Sequence, residues 1–222
     1  MKTPVCLFLI AATLAADPLT DVYARIDKAA GKFTSMAADV KDDDYTSIVQ
    51  DHDIRQGTIK LKRMKNGTSM LIDFTGKSAR SIALAGGVLR VYYPNTKQEQ
   101  VWDVANKRSL IDEFLLLGFG ATSAEIRKSY DVSYVGPESI AGQPATCIRL
   151  IPKSAEVLKQ VKSADLWISD SAGLPVQQRF STSASGDYKL VTYSNMKPNP
   201  SLSEKDLQLK IPKDVQIQQM GK

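Results

Sequence analysis

Residues 57–76 read GTIKLKRMKNGTSMLIDFTG. Ile59 and Leu61 alternate with Lys60 and Lys62, and a period of two is the mark of a strand with one buried face. Asn66-Gly67 interrupts the alternation, and Met70, Ile72 and Phe74 then resume it on one face. Asn-Gly between two alternating runs is the strongest short-range hairpin signal, because a tight turn of that type needs positive φ at both central residues. The stretch therefore predicts two half-buried antiparallel strands.

The same plan extends in both directions. SIALAGGVLRVYYP (81–94) repeats it around Gly86-Gly87, with Leu89 and Val91 on the apolar face, and KQEQVWDV (97–104) follows as another strand. YDVSYVG, ATCIRLIP, DLWISDSAGLPVQQRFS folded around residues 171–173, GDYKLVTYSNMK, and LQLKIPKD after the Asn199-Pro200 turn complete the series. Residues 153–162 read as one short helix or an irregular crossover. Roughly nine to eleven strands joined by tight turns predict one strongly curved antiparallel sheet in a single domain over residues 17–222.

Two segments break the pattern. Residues 20–36 place Val22, Ile26, Ala29/Ala30 and Phe33 at helical spacing behind Thr20, a plausible N-cap. At mid-chain, LIDEFLLLGFG (110–120) is a concentrated apolar run. Ser109 to Asp112 has the shape of a capping box, as does Thr122 to Glu125, which opens a second helix reaching about Tyr130. An antiparallel sheet presents one face to water and must have the other covered. Lys60, Lys62, Arg90, Lys189 and Lys210 are assigned to the wet face, and the helices become the cover. Small helices over a wide sheet leave either a fully packed interior or a space lined by aliphatic side chains, the kind of site that holds acyl chains.

Composition narrows the function. The chain has 222 residues, 29 Lys+Arg, 24 Asp+Glu and one His, giving a formal charge of +5. The positive charges are spread along strands with no arginine-rich block, so nucleic acid is not indicated. MKTPVCLFLIAATLAAD reads as a secretory signal, with Lys2 as the positive region and cleavage leaving residues 1–16 behind. Cys6 falls in that segment, so Cys147 is alone in the mature chain, without a disulfide partner, and sits in a strand pattern as a small packed residue. His52 is flanked by Asp51 and Asp53, but neighbours on a strand point to opposite faces, so these three do not converge and His52 reads as solvated. Asp42-Asp43-Asp44 lacks the glycine of a calcium loop, since Ser47 stands at its sixth position. Asn66-Gly-Thr68 matches a glycosylation pattern, but the turn explains it. No phosphate loop, nucleophile elbow or Cys/His cluster is present in the sequence. Neither catalysis nor a cofactor or metal is expected.

The order of elements, the GTIKLKR strand from Gly57, the D-x-x-G-L-P hairpin at Asp170 to Pro175 and the IPKDV close at Ile211 to Val215 resemble the LolA family of periplasmic lipoprotein carriers and its lipoprotein-sorting relatives. The resemblance spans nearly all of the mature chain. It implies a half-open β-barrel with a helical lid over a hydrophobic cavity that shelters lipoprotein acyl chains. It further implies a monomer that takes cargo from a releasing complex at the inner membrane and passes it to an acceptor at the outer membrane. Arg63 matches the arginine that bonds lid carbonyls in the family, although Met64 stands where the family usually has Pro. The sheet side of the cavity would be Ile59, Leu61, Met70, Ile72, Phe74, Leu89 and Val91, and the lid side Phe114, Leu115, Leu117 and Phe119. A sensing or protein-binding module on the same half-barrel is the alternative function.

Overall fold

A computed structural model describes residues 17–182 and 186–220; the expected signal segment, residues 1–16, lies outside them. The quoted stretch forms β2 (Asp51–Met64) and β3 (Gly67–Thr75), paired with Ile59 opposite Ile72 and Leu61 opposite Met70. The turn between them differs from expectation. It is made by Lys65 and Asn66, neither of which takes positive φ; Gly67, which opens β3 opposite Met64, does, at 100°. The next hairpin, β4 (Arg80–Ala85) to β5 (Val88–Tyr93), does turn through two left-handed glycines, Gly86 and Gly87.

The remaining strands are β1 (Ser35–Thr46), β6 (Gln98–Asp103), β7 (Tyr130–Ile140), β8 (Gln143–Pro152), β9 (Ser163–Ser169), β10 (Pro175–Ser181), β11 (Tyr188–Pro198) and β12 (Gln216–Gln219). Together they form one twelve-stranded sheet in the order β12-β6-β5-β4-β3-β2-β1-β11-β10-β9-β8-β7, which curves strongly but does not close. Every pairing is antiparallel except β12 with β6. Two strand assignments are corrected here. The strand β1 occupies residues expected to finish the first helix, and the last strand is Gln216–Gln219 rather than LQLKIPKD. That segment instead crosses the outer face, where Leu202, Leu207 and Leu209 cover Leu71 and Ala83.

Helix α1 (Pro18–Ala30) is capped by Asp17, whose side chain accepts from the Leu19 amide, and not by Thr20. The cause is Pro18, which is favoured at the first helical position and pulls the start forward. The helix stops at Gly31, and Asn199 holds the exit: its Oδ1 accepts from Thr34 N at 2.8 Å and its Nδ2 donates to Lys32 O at 2.9 Å. Helix α2 (Arg108–Leu116) begins after Lys107, with no side-chain cap, so the expected capping box at Ser109 falls inside the helix. Helix α3 (Ser123–Ser129) has the Thr122–Glu125 capping box as expected, and α4 (Ala155–Gln160) is the short helix of the crossover.

The D-x-x-G-L-P hairpin has a structural duty. Gly173 has φ of 67°, and a Cβ there would lie 2.3 Å from the carbonyl oxygen of Arg25 in α1. Arg25 in turn pairs with Asp170 at 3.1 Å and donates to Thr146 at 2.9 Å. The hairpin thus seats α1 on the sheet. Gly57 is equally confined, since an added Cβ would meet the Asp73 carbonyl oxygen at 2.0 Å.

Gly57→Ala should therefore lower the urea midpoint without changing the m-value, by about 2 kcal/mol or more, because two backbones must separate. Gly173→Ala should do the same through α1. An unchanged midpoint in either variant would contradict the close approach.

Candidate functional site

The concave face carries two apolar clusters of different character. Over β7–β9, α1 and α3 pack tightly: Val22, Ile26, Ile126 and Tyr130 meet Ile148, Leu150 and Leu166, all at 1% exposure or less. Asp27 of α1 ties the two helices by accepting from Ser123 N at 2.6 Å and Ser123 Oγ at 2.8 Å. Over β1–β4, α2 and the segment after it cover a face built from Met36, Ala38, Ile59, Leu61, Met70 and Leu84. Here the cover is incomplete, and a cavity of about 540 Å³ lies beneath it. That volume falls in the range of small-molecule sites.

The structure brings eight of the residues named from the sequence around this one cavity. Ile59, Leu61, Met70, Ile72 and Phe74 line the cavity from the sheet, and Phe114, Leu115 and Phe119 from the cover. Leu89 and Val91 share the concave face, opposite Leu84 and Ile82, but stand outside the cavity lining. Leu117 is a correction. Helix α2 ends at Leu116, and Leu117 adopts φ −58°, ψ 107°, so it leaves the helical register. It is buried at 1% among Val22, Ile26 and Ile126, in the other cluster. The sequence reading also missed Val40, Ile82, Val191 and Tyr193. Met36, Ala38 and Val40 alternate at period two, which was the signal for β1.

The cover is attached by side chains that grip backbone. Arg63 donates from Nη2 to the carbonyl oxygen of Gly120. Gln178, buried, donates to the Leu117 carbonyl at 2.7 Å and accepts at Oε1 from the Tyr193 hydroxyl at 2.7 Å. At the other end of α2, Asp112 accepts from the Thr68 amide at 3.0 Å while Arg108 donates to the Thr68 carbonyl at 2.7 Å. Each charged or buried contact of this kind contributes about 1–3 kcal/mol.

Far from Arg63, the same concave face ends in charge. Arg55, at 5% exposure, bonds Asp42 at 3.0 Å and also Asp44 and Asp53. Lys189, expected on the wet face, lies half-exposed at the rim of the cavity instead and pairs with Asp42 at 3.3 Å and Asp44 at 2.5 Å. Burial opposes the ionised form of Asp44, but hydrogen bonds and charge from Lys189 and Arg55 prevail and hold it below the ordinary carboxylate value. Burial pushes the Tyr193 phenol well above its usual value.

His52 does have a partner, though neither neighbouring acid: its Nδ1 lies 2.8 Å from Asp43 Oδ1 on the facing strand, and its ring stacks at 4.6 Å on Tyr45. Cys147 is buried at 3%, and burial, aided by Asp165 and Glu138, pushes its thiol up to about 12. Among the described residues no group of three or more His, Cys, Asp and Glu is arranged to hold a metal ion, and no helix is long and apolar enough to cross a membrane.

No protein-family model matches the sequence, and no curated protein matches it. Solved structures do. MucB superposes with a TM-score of 0.53 at 13% identity, over 89% of this chain and 64% of MucB. The Mycobacterium tuberculosis lipoprotein LppX superposes at 0.51 and 15% identity, over 84% of this chain and 99% of LppX. The fold is the one that MucB and LppX share. A LolA superfamily protein from Nitrosomonas europaea also matches, at 14% identity and a TM-score of 0.41, over 86% of this chain and 97% of its own. At these identities the likeness is one of fold, and this chain spans under two thirds of the length of MucB.

The Cys147 environment gives a sign that can be tested. A thiol held neutral in the fold, against an ordinary value of 9.0 when unfolded, favours the native state fully below pH 9 and loses that contribution as pH rises toward 12. Stability should fall over that window, and Cys147→Ala should flatten the fall. Native protein should also resist thiol-labelling reagents at pH 8 and react once unfolded in urea. Rapid labelling of the native protein would contradict the burial.

Proposed function

We propose that the protein is a periplasmic carrier that shelters the acyl chains of lipoproteins or related lipids and delivers them toward the outer membrane. The cavity of about 540 Å³, apolar on both its sheet and cover sides, carries this reading. In the proposal, residues 1–16 are removed on export, the carrier works as a monomer without catalysis, and it meets a releasing complex at the inner membrane and an acceptor at the outer membrane.

The energetics suit carriage. Each buried methylene contributes about 0.8 kcal/mol, so ten contribute about 8 kcal/mol. The contacts made by Arg63 and Gln178 to lid carbonyls are worth roughly 1–3 kcal/mol each. Acyl chains can therefore displace the cover, and a deeper apolar acceptor can remove them again. Arg63 is the proposed latch. It favours the closed cover, so cargo that needs the cover displaced competes with its bond to Gly120.

Mass spectrometry of gently purified protein should find acylated cargo bound. An empty interior together with a tightly bound protein partner would favour the sensing or protein-binding module and sink carriage. For the latch, Arg63→Leu should retain a triacylated lipopeptide about tenfold more tightly, since about 1.4 kcal/mol of competition is removed. The same variant should leave binding of a single-chain amphiphile nearly unaltered. Equal retention of the lipopeptide by both proteins would count against Arg63 as latch. Phe114→Asp should weaken both ligands by placing a charge in the apolar lining.

A further inference from the structure

We propose that Arg80 reads the headgroup of the cargo, selecting amphiphiles whose apolar chain enters the cavity and whose end is an anion, carboxylate or phosphate. The inference rests on the reading of the cavity as an acyl-chain site and narrows its ligand to an anionic class.

Three cations face the charged end of the concave surface: Arg55, Lys189 and Arg80. The first two share Asp42, Asp44 and Asp53, and their charge is met within the protein. Arg80 has no such partner. It lines the cavity, its guanidinium lies 5.6 Å from the centre of the Phe74 ring, and among the described residues it pairs with no carboxylate. Its Nε is buried and has no hydrogen-bond partner.

A cation that lines an apolar cavity with no counter-charge paired to it is costly. Contact with the Phe74 ring leaves the terminal Nη donors unused, and these fit a carboxylate or phosphate in bidentate fashion. The neighbourhood explains why an anion would go to Arg80 and not to Lys189: Asp42 and Asp44 already occupy Lys189 and would repel an incoming anion there. An uncharged lipid would fill the same cavity and leave Arg80 unpaired.

The test uses full-length mature protein stripped of lipid, with displacement of a neutral fluorescent hydrophobe by oleate and by methyl oleate. The wild type should prefer oleate by about tenfold or more, the scale of one charge-assisted hydrogen bond. Arg80→Met should bring that ratio close to one, and Arg80→Lys should restore part of it. Equal binding of the acid and the ester by the wild type would overturn the proposal while leaving the carrier reading standing, as would a preference that survives Arg80→Met. Failure of both ligands to displace the hydrophobe would remove the carrier reading itself, and this inference with it. Binding of inorganic phosphate with the same dependence on Arg80, but without oleate binding, would reassign the site to a free anion and overturn the lipid proposal.

Discussion

An antiparallel sheet that curves but does not close has an apolar inner face and no second sheet to pack against it. Everything else in this structure answers that exposure. On one half of the face, α1 and α3 bring Val22, Ile26 and Ile126 onto Ile148, Leu150 and Leu166, and Leu117 fills the remaining gap. On the other half, α2 has only nine residues to cover a much wider surface. Dense packing on the first half fixes the frame, and thin cover on the second leaves the cavity. The half-barrel is a packed core and a binding site side by side on one continuous sheet.

The polar groups on the inner face follow the same division. Arg63, Gln178 and the Arg108–Asp112 pair hold the thin cover through backbone carbonyls and an amide, contacts that fix position without filling space. The cluster of Arg55 and Lys189 with Asp42, Asp44 and Asp53 closes the opposite end. Burying such charges is favourable only when each is compensated, and removing one partner of a buried pair is strongly destabilising. Arg80 lines the same cavity and pairs with none of these three carboxylates.

Much of this was legible in the sequence. Alternation placed Ile59, Leu61, Met70, Ile72 and Phe74 on one face because the period of a strand is two, and the register in the structure keeps them together. The Thr122–Glu125 box was readable because its chemistry is local. The failures have physical causes. Residues 33–36 continue a helical pattern from α1, but Asn199, more than 160 residues away in sequence, captures the chain and turns it into β1. Leu117 looked like one more lid residue because the end of α2 depends on Gln178 of a distant strand gripping its carbonyl. Lys189 looked like a solvated strand lysine, and only the pairing of β1 with β11 shows that it faces Asp42 and Asp44. Long-range pairing decided all three.

The central claim is that the cavity under α2 takes an acyl chain. Nuclear Overhauser effects between a bound fatty acid and methyl-labelled protein test it most directly. The account predicts contacts from the chain to the methyl groups of Ile72, Ile82 and Val191, which line the cavity from three different strands. Contacts confined to Leu71 and Leu209 on the outer face, or to the exposed Ile48 and Val49 of the β1–β2 turn, would contradict it.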